Sequence, residues 1–289
     1  MNNKSLVSVI IPCYKMGGYI AEALESIGKQ TYENWEVIAV DDCGPEDGTR
    51  EIVESFAADQ PQHRVEYIRH KENGGVSKAR NTGIHAAGGK YLAFLDPDDF
   101  WGSSYLALHV KALDSDPEIA VSYTGARMVD ERGADTKQLF ESGLIQCRNF
   151  PQSLYINCFI IPSAVVARSE NVQSCGGFDE AAEMQHVEDW DLWLRMLKED
   201  MQFIYTESAE CFWRRHPEAS TANTAAARSR EEVLRNKHRE QLDRYSRDLM
   251  RTTLLRIDGL DGKQRAFEGS VFFRLGRILS NIFSKLSRK

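Results

Sequence analysis

Apolar and polar residues follow two different periods along the first third of the chain. Short β-rich runs alternate with segments in which apolar residues recur at helical spacing. The predicted strands are 7–11, 35–40, 65–68 and 91–95, and the predicted helices are 19–27, one that ends at 56, and 76–87. Strands that alternate with helices in this way favour βαβ units and a parallel sheet covered on both faces. The sequence therefore predicts an α/β fold.

The rest of the chain is less regular and contains no internal repeat. Its predicted elements are helices at 104–113, 187–198 and 225–256, and strands at 119–123, 164–167 and 202–205. The pattern of predicted elements changes near residue 222: strands occur before it, and the sequence after it is charged and predicted to be helical. We predict one α/β domain at 1–222, which would carry any active site, and a helical extension at 223–289.

Composition narrows the class of protein. The 289 residues are 42% hydrophobic and 27% charged, which is typical of a soluble globular protein. No apolar run approaches the ~18 residues that span a bilayer, and the run at 7–11 is too short for a signal peptide. The six cysteines form no CxxC pair, so we predict neither a zinc site nor disulfides, and expect a cytoplasmic protein.

Charge is distributed unevenly between the body of the chain and its end. The formal net charge of −7 argues against nucleic-acid binding. Residues 263–289 nevertheless contain seven Lys and Arg residues and a single acidic residue, and apolar residues recur there on one helical face. This basic amphipathic helix predicts peripheral association with the inner face of the cell membrane. The alternative is that its apolar face packs on this chain or on a second copy.

Acidic residues follow the predicted strand 91–95 directly. Asp96, Asp98 and Asp99 lie within four residues and repel one another unless a cation is present. Because ligands in α/β sheets bind beyond the carboxyl ends of the strands, this cluster predicts a site for Mg²⁺ or Mn²⁺ together with substrate phosphates. The alternative is a solvated turn that caps the helix beginning near Trp101.

Competing motifs are absent from the sequence. No GxGxxG follows the first strand, which argues against a dinucleotide-binding dehydrogenase. The segment 83–90 lacks the spacing and the Ser or Thr of a phosphate-binding loop. No GxSxG is present either, which removes the commonest α/β-hydrolase signal.

Five segments carry a resemblance to a known family. They are VSVIIPCY at 7–14, VDD at 40–42, SKARNTG at 77–83, FLDPDD at 94–99 and EDWD at 188–191. In order and spacing they resemble the motif set of the family-2 inverting glycosyltransferases, which have the GT-A fold, over roughly residues 5–220. The chain departs from that pattern at Lys15, where Asn is usual, and at Cys43-Gly44, where Gly-Ser is usual.

The resemblance implies a nucleoside diphosphate sugar as the donor, most often a UDP-sugar. Pro12 and Tyr14 would contact the base, and the Tyr14 ring would offer a stacking face. Asp42 would accept a hydrogen bond from the uracil ring, with Asp41 beside it.

The resemblance also assigns the phosphate and metal side of the site. Arg80 would reach the base or the diphosphate, and Lys78 is a second candidate. Asp96 begins the acidic cluster, Asp98 would lie at the ribose and the metal, and Asp99 would bind Mn²⁺ or Mg²⁺. The metal would neutralise charge on the leaving diphosphate.

The acceptor side is implied by EDWD at 188–191. Asp189 would be the base that takes the proton of the acceptor hydroxyl, and Glu188 would assist it. The alternative is a pair of acids that stabilises a helix N-terminus. Farther along, Arg214 and Arg215 resemble a basic stretch that closes over the diphosphate, and His216 would complete the metal shell.

These residues together predict an inverting glycosyltransferase of the hexosyl or N-acetylhexosaminyl class. It would move one sugar to a glycan or lipid-linked acceptor in cell-envelope polysaccharide synthesis. Two alternatives stay open: a nucleotidyltransferase of similar sheet topology, and a non-catalytic protein of the same fold that binds sugar nucleotides.

Overall fold

A computed structural model describes residues 4–140, 150–156, 158–207, 210–216, 224–245 and 247. The chain divides into two compact units, residues 1–238 and 239–289. In the second unit the described residues are 239–245 and 247, of which 239–245 are helical. The predicted amphipathic helix at 263–289 lies outside the described residues, as does most of the second half of the helix predicted at 225–256.

The first unit alternates strands and helices in its N-terminal half, as the sequence predicts. The described strands are β1 (Val7–Cys13), β2 (Trp35–Asp41), β3 (Val65–Arg69), β4 (Tyr91–Phe94), β5 (Phe100–Trp101), β6 (Ile119–Tyr123), β7 (Ala126–Val129), β8 (Asp135–Phe140), β9 (Val165–Arg168), β10 (Gln202–Tyr205) and β11 (Cys211–Arg214). The described helices are α1 (Ile20–Gly28), α2 (Thr49–Asp59), α3 (Val76–Ala86), α4 (Tyr105–Ser115), α5 (Gln152–Ile156), α6 (Ser169–Ser174), α7 (Glu188–Lys198) and α8 (Thr224–Lys237).

The larger sheet has the strand order β10-β6-β9-β4-β1-β2-β3 within the described residues. Its pairs are parallel except those of β9, which runs antiparallel to both β4 and β6. The predicted α/β class is therefore confirmed, with one antiparallel strand inside a mostly parallel sheet.

Burial explains why the central strands are continuous apolar runs. Every residue of β1 and of β2 is buried. Strands covered on both faces need no polar side, so their sequences do not alternate. The covering helix α1 buries Ile20, Leu24 and Ile27 and leaves the charged residues of its other face in solvent, which is why its apolar residues recur at helical spacing.

A smaller sheet, which the sequence analysis did not predict, has the order β5-β11-β7-β8. Its strands carry little periodic signal: β5 has two residues, and β8 is almost entirely exposed and polar. Such short strands are stabilised by pairing with neighbouring strands rather than by their own propensity. The local sequence therefore does not predict them. This sheet matters for the site because β11 pairs with β5, directly after the acidic cluster.

Among the described helices, none combines the length and the apolar character that crossing a membrane requires.

Candidate active site

The predicted nucleotide-binding residues meet at one edge of the larger sheet. β1 and β2 are parallel and in register, with Cys13 opposite Asp41. The next residue after each strand therefore leaves the sheet at the same edge, and the Asp42 N–H donates to the Cys13 carbonyl at 2.9 Å. β4 lies on the other side of β1, so the residues that follow it reach this edge as well.

Tyr14 presents an aromatic ring to solvent at this edge. It is 42% exposed, although it follows a fully buried strand that includes Pro12. Lys15, at φ +60°, brings its ammonium to 5.1 Å from the ring centroid. An open ring beside a cation suits stacking with a planar base. The base-binding roles of Pro12 and Tyr14 stay predictions.

Asp41 is buried and holds the loop that follows β2. Its Oδ1 accepts the Gly44 N–H at 2.7 Å, and its Oδ2 accepts from the Tyr67 hydroxyl at 2.5 Å and from Arg69 at 2.7 Å. Both carboxylate oxygens thus have partners within the protein, and the loop after β2 and strand β3 are both bound to this one side chain.

Asp42 is also buried, and it organises the turn before α3. Its oxygens accept the N–H groups of Gly74 at 2.9 Å and Gly75 at 2.6 Å, and Oδ1 lies 2.7 Å from His70 Nδ1. Asn73 donates to the Asp42 carbonyl at 3.0 Å. The sequence analysis missed Asn73, and the Asn-Gly-Gly turn signal after β3 is what points to it. Gly75 has φ +87°, which favours glycine.

Lys78, half-buried on the first turn of α3, packs on the same turn. A Cβ placed on Gly74 would lie 2.2 Å from Lys78 Cδ, so glycine leaves the room that this side chain occupies. Its predicted contact with the donor stays a prediction.

Arg80 joins the acidic cluster to α7. It is 3% exposed, and it donates to Asp96 Oδ1 and to Glu188 Oε1, each at 2.7 Å. The guanidinium lies 5.2 Å from the ring centroid of Phe178. The sequence predicts that Arg80 reaches the base or the diphosphate, and the structure shows both terminal nitrogens on carboxylates. Its Nε is buried without a hydrogen-bond partner among the described residues, as is Glu188 Oε2.

Asp98 and Asp99 face different surroundings within the acidic cluster, residues 96–99. Asp98 Oδ2 lies 3.0 Å from His216 Nε2, whereas Asp99 Oδ1 accepts the Arg214 N–H at 2.9 Å. Burial, and then the charge of Asp96, raises the pKa of Asp98, against the hydrogen bond from His216. Burial and both neighbouring carboxylates raise the pKa of Asp99 well above its usual range.

The donor set at this edge fits a divalent cation. No group of three or more His, Cys, Asp or Glu side chains within the described residues is already arranged around a metal position. Asp98 Oδ2 and His216 Nε2 nevertheless lie 3.0 Å apart, and a carboxylate oxygen and an imidazole nitrogen can both bind Mn²⁺. A cation here would offset the repulsion that raises the pKa values of Asp98 and Asp99. His216 Nδ1 is buried without a partner in the described structure.

Arg214 and Arg215 differ although they are adjacent. Arg214 is 2% exposed; it donates to the carbonyls of Asp98 at 2.8 Å and Glu131 at 2.9 Å, and it pairs with Glu22. Arg215 is exposed, with its guanidinium 4.8 Å from the Trp213 ring centroid. Arg214 thus ties β11 to the acidic cluster, while Arg215 is open to solvent. Their predicted contacts with the diphosphate stay predictions.

Asp189 lies at the start of α7, half-buried beside Glu188. Its Oδ1 accepts the Trp190 N–H at 2.7 Å, and its Oδ2 lies 4.0 Å from the Cys158 thiol. Burial, and then the charge of Glu188, raises the pKa of Asp189 to about 7. A carboxylate with such a pKa can accept a proton near neutral pH and is a candidate general base.

Ser163 supports the acidic cluster from below and was missed by the sequence analysis. It is fully buried, and its hydroxyl accepts the Asp96 N–H at 3.0 Å. Its carbonyl accepts from Trp101 Nε1 at 2.7 Å and from the Tyr105 hydroxyl at 3.0 Å. A serine beside a proline carries no sequence signal for such a role, because its partners lie more than fifty residues away.

Comparison with known proteins identifies relatives for most of this unit. A model of "Glycosyl transferase family 2" matches residues 8–172. The putative teichuronic acid biosynthesis glycosyltransferase TuaG of Bacillus subtilis is 36% identical over 46% of this chain and 51% of its own length. An uncharacterised glycosyltransferase of Rickettsia prowazekii is 31% identical over 76% of this chain and 67% of its own.

Solved structures share the fold. TarS of S. aureus, residues 1–349 in complex with UDP-GlcNAc, aligns with a TM-score of 0.60 and 23% identity over 75% of this chain and 61% of that chain. The mannosyltransferase PcManGT of Pyrobaculum calidifontis, in complex with GDP-Man and Mn²⁺, aligns with a TM-score of 0.58 and 21% identity over 73% and 57%. The chain spans from about a quarter to about half the length of several curated relatives that it matches.

Proposed function

The chain belongs to glycosyl transferase family 2 and has the GT-A fold, and from this we propose that it transfers one sugar from a nucleoside diphosphate donor to an acceptor hydroxyl with inversion. One observation carries the proposal. Arg80 bridges the acidic cluster, on the donor side, to Glu188 at the start of α7, on the acceptor side, with both contacts at 2.7 Å. Two acidic groups with different tasks are thereby held at one sheet edge.

On the donor side, the proposed ligand is a UDP-sugar. The exposed ring of Tyr14 would stack on the base, next to the loops that Asp41 and Asp42 hold in place. The crystallised complex of TarS with UDP-GlcNAc supports this choice by analogy of fold. Arg215, exposed after β11, would reach the diphosphate.

A divalent cation, Mn²⁺ or Mg²⁺, is proposed at Asp98 and His216, next to Asp99, one oxygen of which accepts the Arg214 N–H. When bound, the metal supplies a Lewis acid that neutralises charge on the departing diphosphate. The complex of PcManGT with Mn²⁺ supports a metal in this fold. The protein's own part is to hold the two ligands 3.0 Å apart at a fixed place on the sheet edge.

On the acceptor side, Asp189 is the proposed base. Inversion requires the acceptor oxygen to attack the anomeric carbon from the face opposite the diphosphate. As the new C–O bond forms and the bond to the diphosphate breaks, the acceptor proton passes to a carboxylate oxygen of Asp189. The nearby charges of Glu188 and the burial of the site keep that oxygen basic.

Calorimetric titration with UDP, with and without Mn²⁺, tests the donor half. We expect UDP to bind in the presence of Mn²⁺ and to bind about tenfold or more weakly after the metal is removed with EDTA. GDP and dTDP serve as competing nucleotides in the same experiment. Binding of UDP that is equal with and without Mn²⁺ would contradict the metal assignment, and no binding of any of the three would contradict the donor assignment.

The proposed acceptor is a glycan or a lipid-linked glycan of the cell envelope. The name of TuaG, which refers to teichuronic acid biosynthesis, supports this class of acceptor. The basic sequence at 263–289 supports attachment to a membrane surface, where a lipid-linked acceptor would be found.

Membrane attachment is tested by a chain cut after Leu260. We expect the full chain to co-sediment with vesicles that contain anionic lipid and the cut chain to stay in the supernatant, because each basic residue near such a surface contributes about 1 kcal/mol. Neutral vesicles are the control for charge. Equal co-sedimentation of both chains would rule out the segment 261–289 as the anchor.

A further inference from the structure

A charged cluster close to the start of α7 contains none of the residues that the proposed function assigns to the donor, the metal or the base. Its centre is Asp191, whose side chain is fully buried. Three basic side chains surround this carboxylate: Arg195 Nε at 2.8 Å, Lys237 Nζ at 2.7 Å and His238 Nε2 at 2.7 Å. Lys237 also contacts Asp179 at 2.6 Å. We call these five residues the Asp191 cluster.

Arg195 connects the cluster to the loop of residues 175–180, here named the Gly-Gly loop. The ion pair of Arg195 with Asp191, four residues apart on α7, is the one that the sequence spacing predicts. The remaining nitrogens reach further, to the carbonyls of Cys175 and, at 2.6 Å, Gly177. One guanidinium therefore fixes the Gly-Gly loop to the helix that begins with Glu188.

The Gly-Gly loop in turn contacts the helix that carries Arg80. The Phe178 N–H donates to Asn81 Oδ1, and Asn81 Nδ2 donates to the Phe178 carbonyl, both at 2.8 Å. Gly177 has φ +70°, and a Cβ there would lie 2.5 Å from Asn81 Oδ1, so this approach requires glycine. The Phe178 ring lies against the Arg80 guanidinium.

Lys237, like its neighbour His238, reaches the cluster from outside the Gly-Gly loop and α7. It ends α8 and lies between two carboxylates, Asp179 of the Gly-Gly loop and Asp191 of α7. Burial alone would raise the pKa of Asp191, but hydrogen bonds from His238 and Lys237 bring it well below its usual range. Two carboxylates that share one ammonium repel each other once it is removed.

Helix α8 also contacts the residue next to Asp189. The Arg235 guanidinium lies 5.1 Å from the ring centroid of Trp190, and Lys237 holds Asp191 one residue further along. Both residues that follow the proposed base are thus contacted by α8. The Trp190 ring nitrogen is fixed from the other side by the Leu154 carbonyl at 2.7 Å.

We infer that Lys237 is a positioning residue for sugar transfer: by holding Asp179 and Asp191 together, it fixes the Gly-Gly loop against α7 and thereby fixes the direction of the Asp189 carboxylate. This inference rests on the proposed function and deepens it. It gives α8, which comes after β11 in the sequence, a part in the acceptor half of the reaction, independent of any membrane attachment by 263–289.

The kinetic test compares Lys237→Met with Lys29→Met in the full chain. Lys29, directly after α1, makes an exposed pair with Glu25 at 2.7 Å, so its replacement removes the same charge without disturbing a buried carboxylate. With UDP and Mn²⁺ as the probe, we expect Kd to change by less than about twofold in both variants. With the UDP-sugar that the wild type turns over, we expect kcat to fall about tenfold or more in Lys237→Met only. Lys237→Arg, which keeps the charge, is expected to restore most of the rate.

A second measurement does not depend on activity. Amide hydrogen exchange, followed by mass spectrometry, is expected to become about tenfold faster in residues 175–180 and 188–195 of Lys237→Met and to stay unchanged in β1 and β4. Asp179→Asn, which removes the other end of the contact at an accessible position, is expected to produce the same pattern. The two substitutions combined should add little to either alone.

Specific outcomes would overturn the inference. The inference is wrong if kcat is unchanged in Lys237→Met. It is also wrong if UDP affinity and kcat fall equally, because an equal loss indicates general weakening of the fold. Unchanged exchange in both segments would also overturn it. If the wild type binds no UDP and transfers no sugar, the proposed function fails instead, and the exchange experiment still decides whether Lys237 holds the two segments together.

Discussion

Asp189→Asn is expected to reduce turnover by about 100-fold or more while UDP binding in the presence of Mn²⁺ stays nearly unchanged. The amide keeps the size of the side chain and its bond from the Trp190 N–H, but it cannot accept the proton of the acceptor hydroxyl. Initial rates at saturating donor measure turnover, and calorimetric titration with UDP measures donor binding separately.

Asp59→Asn is the matched control for this substitution. Asp59 is an exposed carboxylate at the end of α2, and its replacement should change neither quantity. Full turnover in Asp189→Asn would remove Asp189 as the base. A parallel loss of UDP binding would mean that the residue belongs to the donor side instead.

The pKa of the Asp189 carboxyl group predicts how the rate of transfer depends on pH. The pKa of Asp189 is raised to about 7, chiefly by burial and then by Glu188, with Arg80 opposing and Asp96 adding to the shift. Only the ionised form accepts a proton, so kcat/KM should rise as pH increases through about 7. At pH 5 it should be about 100-fold below its plateau, whereas an ordinary aspartate would still be ionised there. UDP affinity measured at each pH separates this effect from loss of the donor, and a flat profile from pH 5 to 8 would contradict it.

Asp98→Ala is expected to abolish the dependence of UDP binding on Mn²⁺, with affinity in the presence of metal falling by about 100-fold. Asp98 Oδ2 lies 3.0 Å from His216 Nε2, and a carboxylate oxygen and an imidazole nitrogen are the kinds of ligand that bind Mn²⁺, so we propose both as metal ligands. Titration of the variant with UDP, with and without Mn²⁺, measures this directly, and retained dependence on Mn²⁺ would contradict the assignment.

Asp99→Ala distinguishes direct metal binding from support. The sequence predicts Asp99 as a metal ligand together with Asp98 and His216, while one oxygen of Asp99 accepts the Arg214 N–H. If Asp99 binds the metal, Asp99→Ala should lose Mn²⁺-dependent binding as completely as Asp98→Ala. If it supports the cluster, Asp99→Ala should lower the melting temperature and leave part of the metal dependence. Thermal denaturation of both variants accompanies the titrations.

The sequence by itself determined the class of fold, and it predicted the sheet edge at which the candidate site residues meet. Strands such as β1 and β2 are buried on both faces, so their sequences are continuous apolar runs. Such runs can be recognised in the sequence alone. The acidic cluster follows β4, and parallel strands deliver such residues to a common edge. The apolar period of α7 likewise predicts the helix behind Glu188 and Asp189.

Only the tertiary structure decided which charged groups meet. Arg80 contacts Glu188 across 108 positions, and the Arg214 N–H reaches Asp99 across 115. Lys237 joins two carboxylates that lie on different segments. The physical reason is that periodicity reports which face of an element is buried, whereas a buried charge requires a specific partner that can come from any segment the fold brings close. That pairing is a property of the packed chain, and it decides how the two acidic groups of the site are held.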